Sequence, residues 1–314
     1  MNIVFMGTPE FSIPTLTKLY RSHHNVQLVV TQPDRPKGRG RESTPSPVKR
    51  FALENNIPIL QPKKCTDLEV VKTLGMLNAD FFIVVAFGQI LDKALLALPL
   101  HFCINLHSSL LPKYRGAAPI NWSIINGETE AGITTMKMDV GLDTGDILLA
   151  HKVPINDDDD AQSLHDTLAQ KGSDLVLETL NQFDFGSLEG TSQNIELASY
   201  APKLKKEDGL IQWDQPAVKI HNLVRGLAPW PGAFSFLESK RFKICKTEIK
   251  SCDSSNQPGV ILRISGCGIE VGTQSKKIII TELQPEGKKR MDVKSFLAGH
   301  KLSIGSKFEK QSSL

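Results

Sequence analysis

The chain reads as two halves with different hydrophobic periods. In the first, largely apolar runs at 2–6, 25–30, 81–86 and 102–106 alternate with stretches of helical period at 11–21, 47–55 and 91–98. Runs of this kind predict strands buried on both faces, and their alternation with helices predicts a Rossmann-like α/β domain built on a parallel sheet. Thr8 and Pro9 stand at the first strand-to-helix junction as an N-cap hydroxyl followed by a first-turn proline. Further on, 132–138 alternates as a strand should, 146–153 forms another, and 139–145 becomes the loop between them. Residues 161–183 carry the 3.6-residue period of a long amphipathic helix.

The second half changes register. Residues 200–209 are polar and aperiodic, which marks a linker at about 190–209. After a helix at 217–227, five short β-type runs at 233–237, 242–249, 259–264, 269–271 and 277–283 are punctuated by Gly and Pro, a pattern that predicts a small β-barrel. The expected organisation is a catalytic domain at 1–204 and a barrel domain at 205–314.

Composition bounds this picture. At 314 residues the chain is long for a single core, and 40% hydrophobic with 23% charged residues is ordinary globular composition. No apolar run approaches the roughly 20 residues of a membrane span. The amino terminus opens directly on a strand, without a signal or transit pattern, so a cytoplasmic location is expected. Five cysteines at 65, 103, 245, 252 and 267 show no paired spacing, which argues against a disulfide framework or a metal site; Cys103 reads as a small core hydrophobe. The net charge of +3 hides an asymmetry: residues 205–314 hold 19 Lys and Arg against 11 Asp and Glu, a net of +8, while residues 1–204 hold 18 against 23, a net of −5. A basic module beside an acidic one suits a polyanionic partner, and equally a solvated basic surface.

The candidate chemistry sits at the end of the fourth apolar run. In Cys103-Ile104-Asn105-Leu106-His107, Asn105 and His107 are two apart and project to one side where the strand opens into a loop. Downstream, Gly141-Leu142-Asp143-Thr144-Gly145 places an acid between two glycines. Acyl transfer to an amine needs a donor for developing negative charge, a group that handles protons near neutral pH, and a partner that fixes the tautomer of that group. Asn105, His107 and Asp143 match those three needs. Taken singly, an Asn at a strand end is also an ordinary turn former and a His an ordinary satisfied side chain. Gly7 permits a tight turn after the first strand, yet no G-x-G-x-x-G follows it, so the dinucleotide fingerprint is missing. The segment 32–41 sets Arg35, Lys37, Arg39 and Arg41 on a Gly and Pro scaffold, which reads either as a basic finger for phosphates or as a surface loop without a partner.

The motifs Asn105-Leu106-His107-Ser108-Ser109-Leu110-Leu111-Pro112 and Asp139-Val140-Gly141-Leu142-Asp143-Thr144-Gly145, with their separation, resemble the folate-dependent formyltransferase family. Arg115-Gly116-Ala117-Ala118-Pro119 and Phe5-Met6-Gly7-Thr8-Pro9 resemble the branch of that family whose acceptor is methionyl initiator tRNA. The resemblance runs over essentially the whole chain. It implies 10-formyltetrahydrofolate as formyl donor, without a metal, and an OB-like barrel used in tRNA binding. It also implies that tetrahydrofolate lies against Ser109, Leu110, Leu111 and Pro112 and against the backbone of Phe87, Gly88, Gln89 and Ile90, and that Arg39 senses the end of the tRNA. The competing expectations are a formyltransferase or hydrolase acting on a small-molecule amine, and an RNA-binding protein with a silent site.

Overall fold

The first apolar run becomes strand β1 (Asn2–Gly7), in which Ile3, Val4, Phe5 and Met6 are wholly buried, as a strand covered on both faces requires. The computed structural model describes residues 1–37, 42–250 and 257–310, with the side chains of residues 36, 37, 42 and 43 outside that description. Following β1 come β2 (Asn25–Val30), a short hairpin of β3 (Arg35–Lys37) and β4 (Glu42–Thr44), β5 (Ile59–Leu60), β6 (Phe81–Val85), β7 (Phe102–His107), β8 (Arg115–Gly116), β9 (Glu130–Lys137), β10 (Ile147–Pro154) and β11 (Tyr200–Ala201). The main sheet runs β10-β9-β7-β6-β1-β2-β5. From β5 to β7 every pairing is parallel. At β9 the direction reverses, with Asn105 opposite Met136 and His107 opposite Thr134. The sheet is therefore mixed where pattern alone predicted a parallel one, because sequence pattern reports a strand but not its direction, and β9 is buried on both faces like its parallel neighbours.

Helices over Ile13–Arg21, Pro47–Glu54 and Ala161–Asp184 form where the periodicity placed them. The stretch predicted as a helix at 91–98 shortens to one turn, Lys93–Leu96, started by Asp92 accepting from the Leu95 N–H at 3.0 Å. Thr8 is not a cap. The chain passes through a 3-10 turn at Glu10–Ser12 before the first helix, and the Thr8 hydroxyl donates to the Phe87 carbonyl at 3.1 Å. On one side of the sheet Val4, Met6, Val30, Phe82, Val84 and Cys103 form a continuous core. Cys103 is a core hydrophobe there, its thiol pushed up to about 12 by burial.

The described residues divide into two compact units. One comprises Met1–Pro119, Ala131–Pro154 and His165–Ala201; the other comprises Ile120–Glu130, Ile155–Leu164 and Pro202–Leu314. In the second unit β12 (Ala233–Leu237), β13 (Lys240–Lys250), β14 (Ile261–Ser265), β15 (Gly268–Gly272) and β16 (Lys277–Pro285) pair in the antiparallel order β12-β13-β16-β15-β14, with β17 (Met291–Asp292) added to β16. The C-terminal segment spans the two edges of that sheet: Glu309 bridges Phe236 of β12, and Lys307 bridges Val260 beside β14. This segment closes the barrel, bonding Phe236 of β12 on one edge and Ile261 of β14 on the other. Its core holds Trp213, Ile220, Val224, Ile244, Ile261, Val271, Ile280, Phe296 and Phe308.

Two insertions from the first half join this unit, a discontinuity that a charge step in the sequence does not reveal. Arg225, on the helix Ala217–Gly226, donates to the carbonyls of Asn156 at 2.9 Å and Asp159 at 3.1 Å, and the Asn121 amide donates to the Gly226 carbonyl at 2.8 Å. Among the described residues, no helix is long and apolar enough to cross a membrane, and no three His, Cys, Asp or Glu side chains gather as metal ligands.

Candidate active site

Strand order reverses at β1, with β2 on one side and β6 on the other, and the loops leaving the carboxyl ends of β1, β6 and β7 open onto one rim, where doubly wound sheets take their ligands. Three polar side chains lace the rim together. Ser12 donates to the Val85 carbonyl at 2.7 Å, while Thr8 at 3.1 Å and the Gln32 amide at 3.3 Å both donate to the Phe87 carbonyl. The backbone of the turn after β6 is thereby held before any ligand arrives.

Asn105 and His107 occupy alternate positions at the end of β7, half-buried and buried respectively. The Asn105 side chain makes no hydrogen bond among the described residues, so its amide is available to a ligand. His107 is hydrogen-bonded through one ring nitrogen and faces an acid with the other. Its Nε2 lies 2.9 Å from the Tyr114 carbonyl, and because a carbonyl only accepts, Nε2 carries the proton in the neutral ring. Its Nδ1 faces Asp143 Oδ2 at 3.7 Å, an ion-pair distance rather than a hydrogen bond. The sequence assigned the tautomer to Asp143; the structure gives that part to the Tyr114 backbone and turns the acid toward the other nitrogen.

Asp143 reaches this place from the loop between β9 and β10 with a left-handed backbone, φ 55°, which is uncommon for a residue with a side chain. Its Oδ2 accepts from the Gly116 N–H at 2.7 Å. Gly116 itself has φ 112°, and a Cβ there would stand 2.9 Å from the Ala201 carbonyl oxygen, so β8 approaches Asp143 closely only because position 116 is glycine. The loop is braced from within by Asp139, which accepts from the Gly141 N–H at 3.0 Å and the Thr144 hydroxyl at 2.7 Å.

The two segments assigned to tetrahydrofolate follow paired parallel strands, which sets them side by side. After β7, Thr134 stitches the turn: its hydroxyl donates to the Ser109 carbonyl at 2.7 Å and accepts from the Leu111 N–H at 3.3 Å. Ser109 donates to the Lys113 carbonyl at 2.6 Å, Leu111 is buried, and Leu110 and Pro112 are half-buried. After β6, Phe87 is buried and Gly88 is exposed with φ 80°; a Cβ at Gly88 would meet only the Gln32 amide nitrogen at 3.7 Å, leaving open space over the backbone. The Gln89 side chain is committed elsewhere, accepting from the Cys65 N–H at 2.7 Å and donating to the Pro62 carbonyl at 3.0 Å, so only its backbone is free to bind. Ile90 is 85% exposed.

The basic segment after β2 is a hairpin, with Arg35 opposite Thr44 and Lys37 opposite Glu42. Its base is anchored by Asp34, which accepts from Lys49 at 2.6 Å and Gln61 at 2.8 Å; the Lys49 hydrogen bond holds the Asp34 carboxyl below its usual range. Arg35 is exposed. Of the other cations expected to meet tRNA, Lys37 is described only through its backbone, and Arg39 and Arg41 lie outside the described residues.

Sequence reasoning missed four contributors: the Tyr114 carbonyl, Thr134, Arg115 and Gln193. Thr134 was legible only as an inward position of an alternating strand. Gln193 carries no local signal, since it stands in a stretch read as linker. In the structure that stretch is tied to the site: Ser199 accepts from the Tyr114 N–H through its hydroxyl at 2.9 Å and from the Arg115 N–H through its carbonyl at 2.8 Å, and β11 pairs with β8.

Comparison with known proteins matches residues 1–180 to the family described as formyl transferase and residues 203–301 to the formyl transferase C-terminal domain. The chain is 53% identical over 305 residues to methionyl-tRNA formyltransferase of Citrifermentans bemidjiense, covering 97% of this chain and 95% of the relative. Among solved structures it is similar to WlaRD, a sugar 3N-formyl transferase, at 21% identity and a TM-score of 0.68, covering 92% of this chain and 99% of that one. It is also similar to methionyl-tRNA formyltransferase from Clostridium thermocellum, at 19% identity and a TM-score of 0.54 over 80% of this chain and 94% of that one. At those identities the two structures speak for the fold alone.

Proposed function

The chain belongs to the formyl transferase family, and from that membership we propose that it transfers a formyl group from 10-formyltetrahydrofolate to the α-amino group of methionyl initiator tRNA, supporting translation initiation. The observation that carries this reading is the 53% identity to a methionyl-tRNA formyltransferase that spans nearly the whole of both chains, barrel included. A location in the cytoplasm, where initiation takes place, follows from the same reading.

The residues at the rim fit the partly reduced bicyclic ring of a tetrahydrofolate donor. The open backbone at Gly88, the exposed Ile90 and the half-buried Leu110 offer apolar and backbone contact. Ser109, Leu110, Leu111 and Pro112, with the backbone of Phe87, Gly88, Gln89 and Ile90, hold it. 10-Formyltetrahydrofolate, when bound, supplies the electrophilic formyl carbon.

The remaining chemistry belongs to the chain. Asn105 turns its free amide N–H to the place where negative charge develops during acyl transfer. His107, with Nε2–H held by Tyr114, keeps Nδ1 as the nitrogen that takes or gives a proton. Asp143, facing Nδ1, balances the charge that a proton there creates. No covalent attachment to the enzyme is needed, since the acceptor amine is itself the nucleophile. Arg35, Lys37, Arg39 and Arg41 with the basic barrel serve the tRNA backbone.

The test is formyl transfer from 10-formyltetrahydrofolate to methionyl initiator tRNA, with uncharged tRNA, free methionine and small amino sugars as competing acceptors. Formylation of the charged tRNA alone is expected. Turnover of the folate with a small amine and none with tRNA would overturn the assignment.

A further inference from the structure

The side chains of Arg115 and Gln193 form a closed device behind Asp143. Arg115 lies in β8, is 3% exposed, and has no carboxylate partner among the described residues. Its Nε and Nη2 donate to the Gln193 Oε1 at 3.1 Å and 2.7 Å. The Gln193 Nε2 donates in turn to the carbonyls of Asp143 at 2.9 Å and Gly145 at 2.7 Å. The amide orientation is unambiguous, because two N–H donors face one end and two carbonyl acceptors face the other. All four hydrogen-bonding positions of Gln193 are thus filled. The ring closes through β8, whose Gly116 N–H holds the Asp143 carboxylate at 2.7 Å.

Asp143 therefore has its side chain fixed by one residue of β8 and its backbone fixed, through Gln193, by the preceding residue. A non-glycine residue in left-handed conformation persists only where its surroundings over-determine it, and this ring is the surrounding that does so. A buried guanidinium spent on one neutral amide is an expensive way to hold a loop unless the position of that loop matters. We propose that Arg115 and Gln193 are positioning residues that set the Asp143 carboxylate against Nδ1 of His107. The proposal rests on the formyl-transfer reading, and it extends the site into a stretch of chain that looks like linker.

The experiment begins with wild-type enzyme, whose formylation of methionyl initiator tRNA tests the functional reading by itself. Gln193→Met removes both donors to the loop. Gln193→Glu removes them while keeping an acceptor for Arg115, and so leaves that charge partnered in case the first variant fails to fold. We expect kcat to fall roughly 10- to 100-fold in either variant, with KM for the tRNA little changed and the pH profile of kcat displaced. In an Asp143→Asn background the same substitutions should cost less than about threefold more, because the residue they act through is already disabled. Arg115→Lys, which keeps the charge and loses the fork, should behave as the Gln193 variants do. A wild-type kcat and pH profile in Gln193→Glu would overturn the proposal, as would losses that multiply fully with Asp143→Asn. In an active wild type, either result would leave the functional reading standing.

Discussion

The Nε2–H of His107 donates to the carbonyl of Tyr114 at 2.9 Å, and this bond leaves Nδ1 as the nitrogen facing Asp143. In the proposed mechanism the acid acts on the charge of the ring rather than on its tautomer. Asp143→Asn keeps the size of the side chain and an oxygen for the Gly116 N–H but removes the negative charge. We expect kcat to fall on the order of 100-fold, with tRNA affinity retained and the pH profile altered. A pH-rate comparison with wild type checks this, and superimposable profiles would remove Asp143 from the role.

Thr134 is wholly buried and serves two backbone groups of the turn after β7, donating to Ser109 and accepting from Leu111. Thr134→Val conserves shape and leaves both without a partner. The expected cost is roughly 1–3 kcal/mol of stability, with KM rising for the formyl donor more than for the tRNA. Urea denaturation beside KM for each substrate measures it; an unchanged donor KM would show that the 109–112 turn does not depend on this hydroxyl.

These two sites mark what a reader of the sequence can and cannot see. Asn105 and His107 are legible because they interrupt the end of an otherwise apolar run, and strand period two puts both on one side. Asp143 is legible because glycines at 141 and 145 announce a tight loop. Gln193 is not, because its worth lies in bonds to residues 50 and 78 positions away in the chain, and such bonds leave no periodic trace. The same holds for the closure of the barrel, where a short C-terminal segment pairs with β12 by position rather than by pattern. The antiparallel turn of β9 was hidden for a different reason: one alternating sequence serves either direction of pairing.

His24 predicts an acid-sensitive fold. It is 5% exposed, lies 3.4 Å from the amino-terminal nitrogen, and leaves its Nε2 without a partner. Burial first, then the neighbouring His23 and the amino terminus, lower it from 6.5 to about 4, against a small opposing pull from Asp184. The folded value lies below the unfolded one, so between those pH values the unfolded chain binds a proton that the folded chain refuses. The stabilisation is complete above pH 6.5 and is lost as the pH falls toward 4, on the order of 2 kcal/mol once screening near the surface is allowed for. Thermal melting of wild type and His24→Leu at pH 7 and pH 4.5 checks this. The wild type should lose about 4–8 °C more than the variant over that interval, and parallel losses would assign the acid sensitivity to other groups.

The hairpin of β3 and β4 predicts how the enzyme holds its polyanion. Its base is rigid, with Asp34 bound to Lys49 and Gln61, and Arg35 stands exposed immediately above that anchor. Aromatic residues make up only 6% of the chain, so base stacking has few surfaces to use and phosphate contacts should dominate. Affinity for methionyl initiator tRNA should then fall linearly in log–log form as salt rises. Arg35→Ala should weaken binding and lower the steepness of that line by about one. Asp34→Asn leaves the cations in place but releases the anchor, so it should weaken binding while leaving the slope as it was. Filter binding or fluorescence titration between low and moderate salt measures all three proteins, and a flat line for the wild type would show that phosphate contacts are not what holds the tRNA.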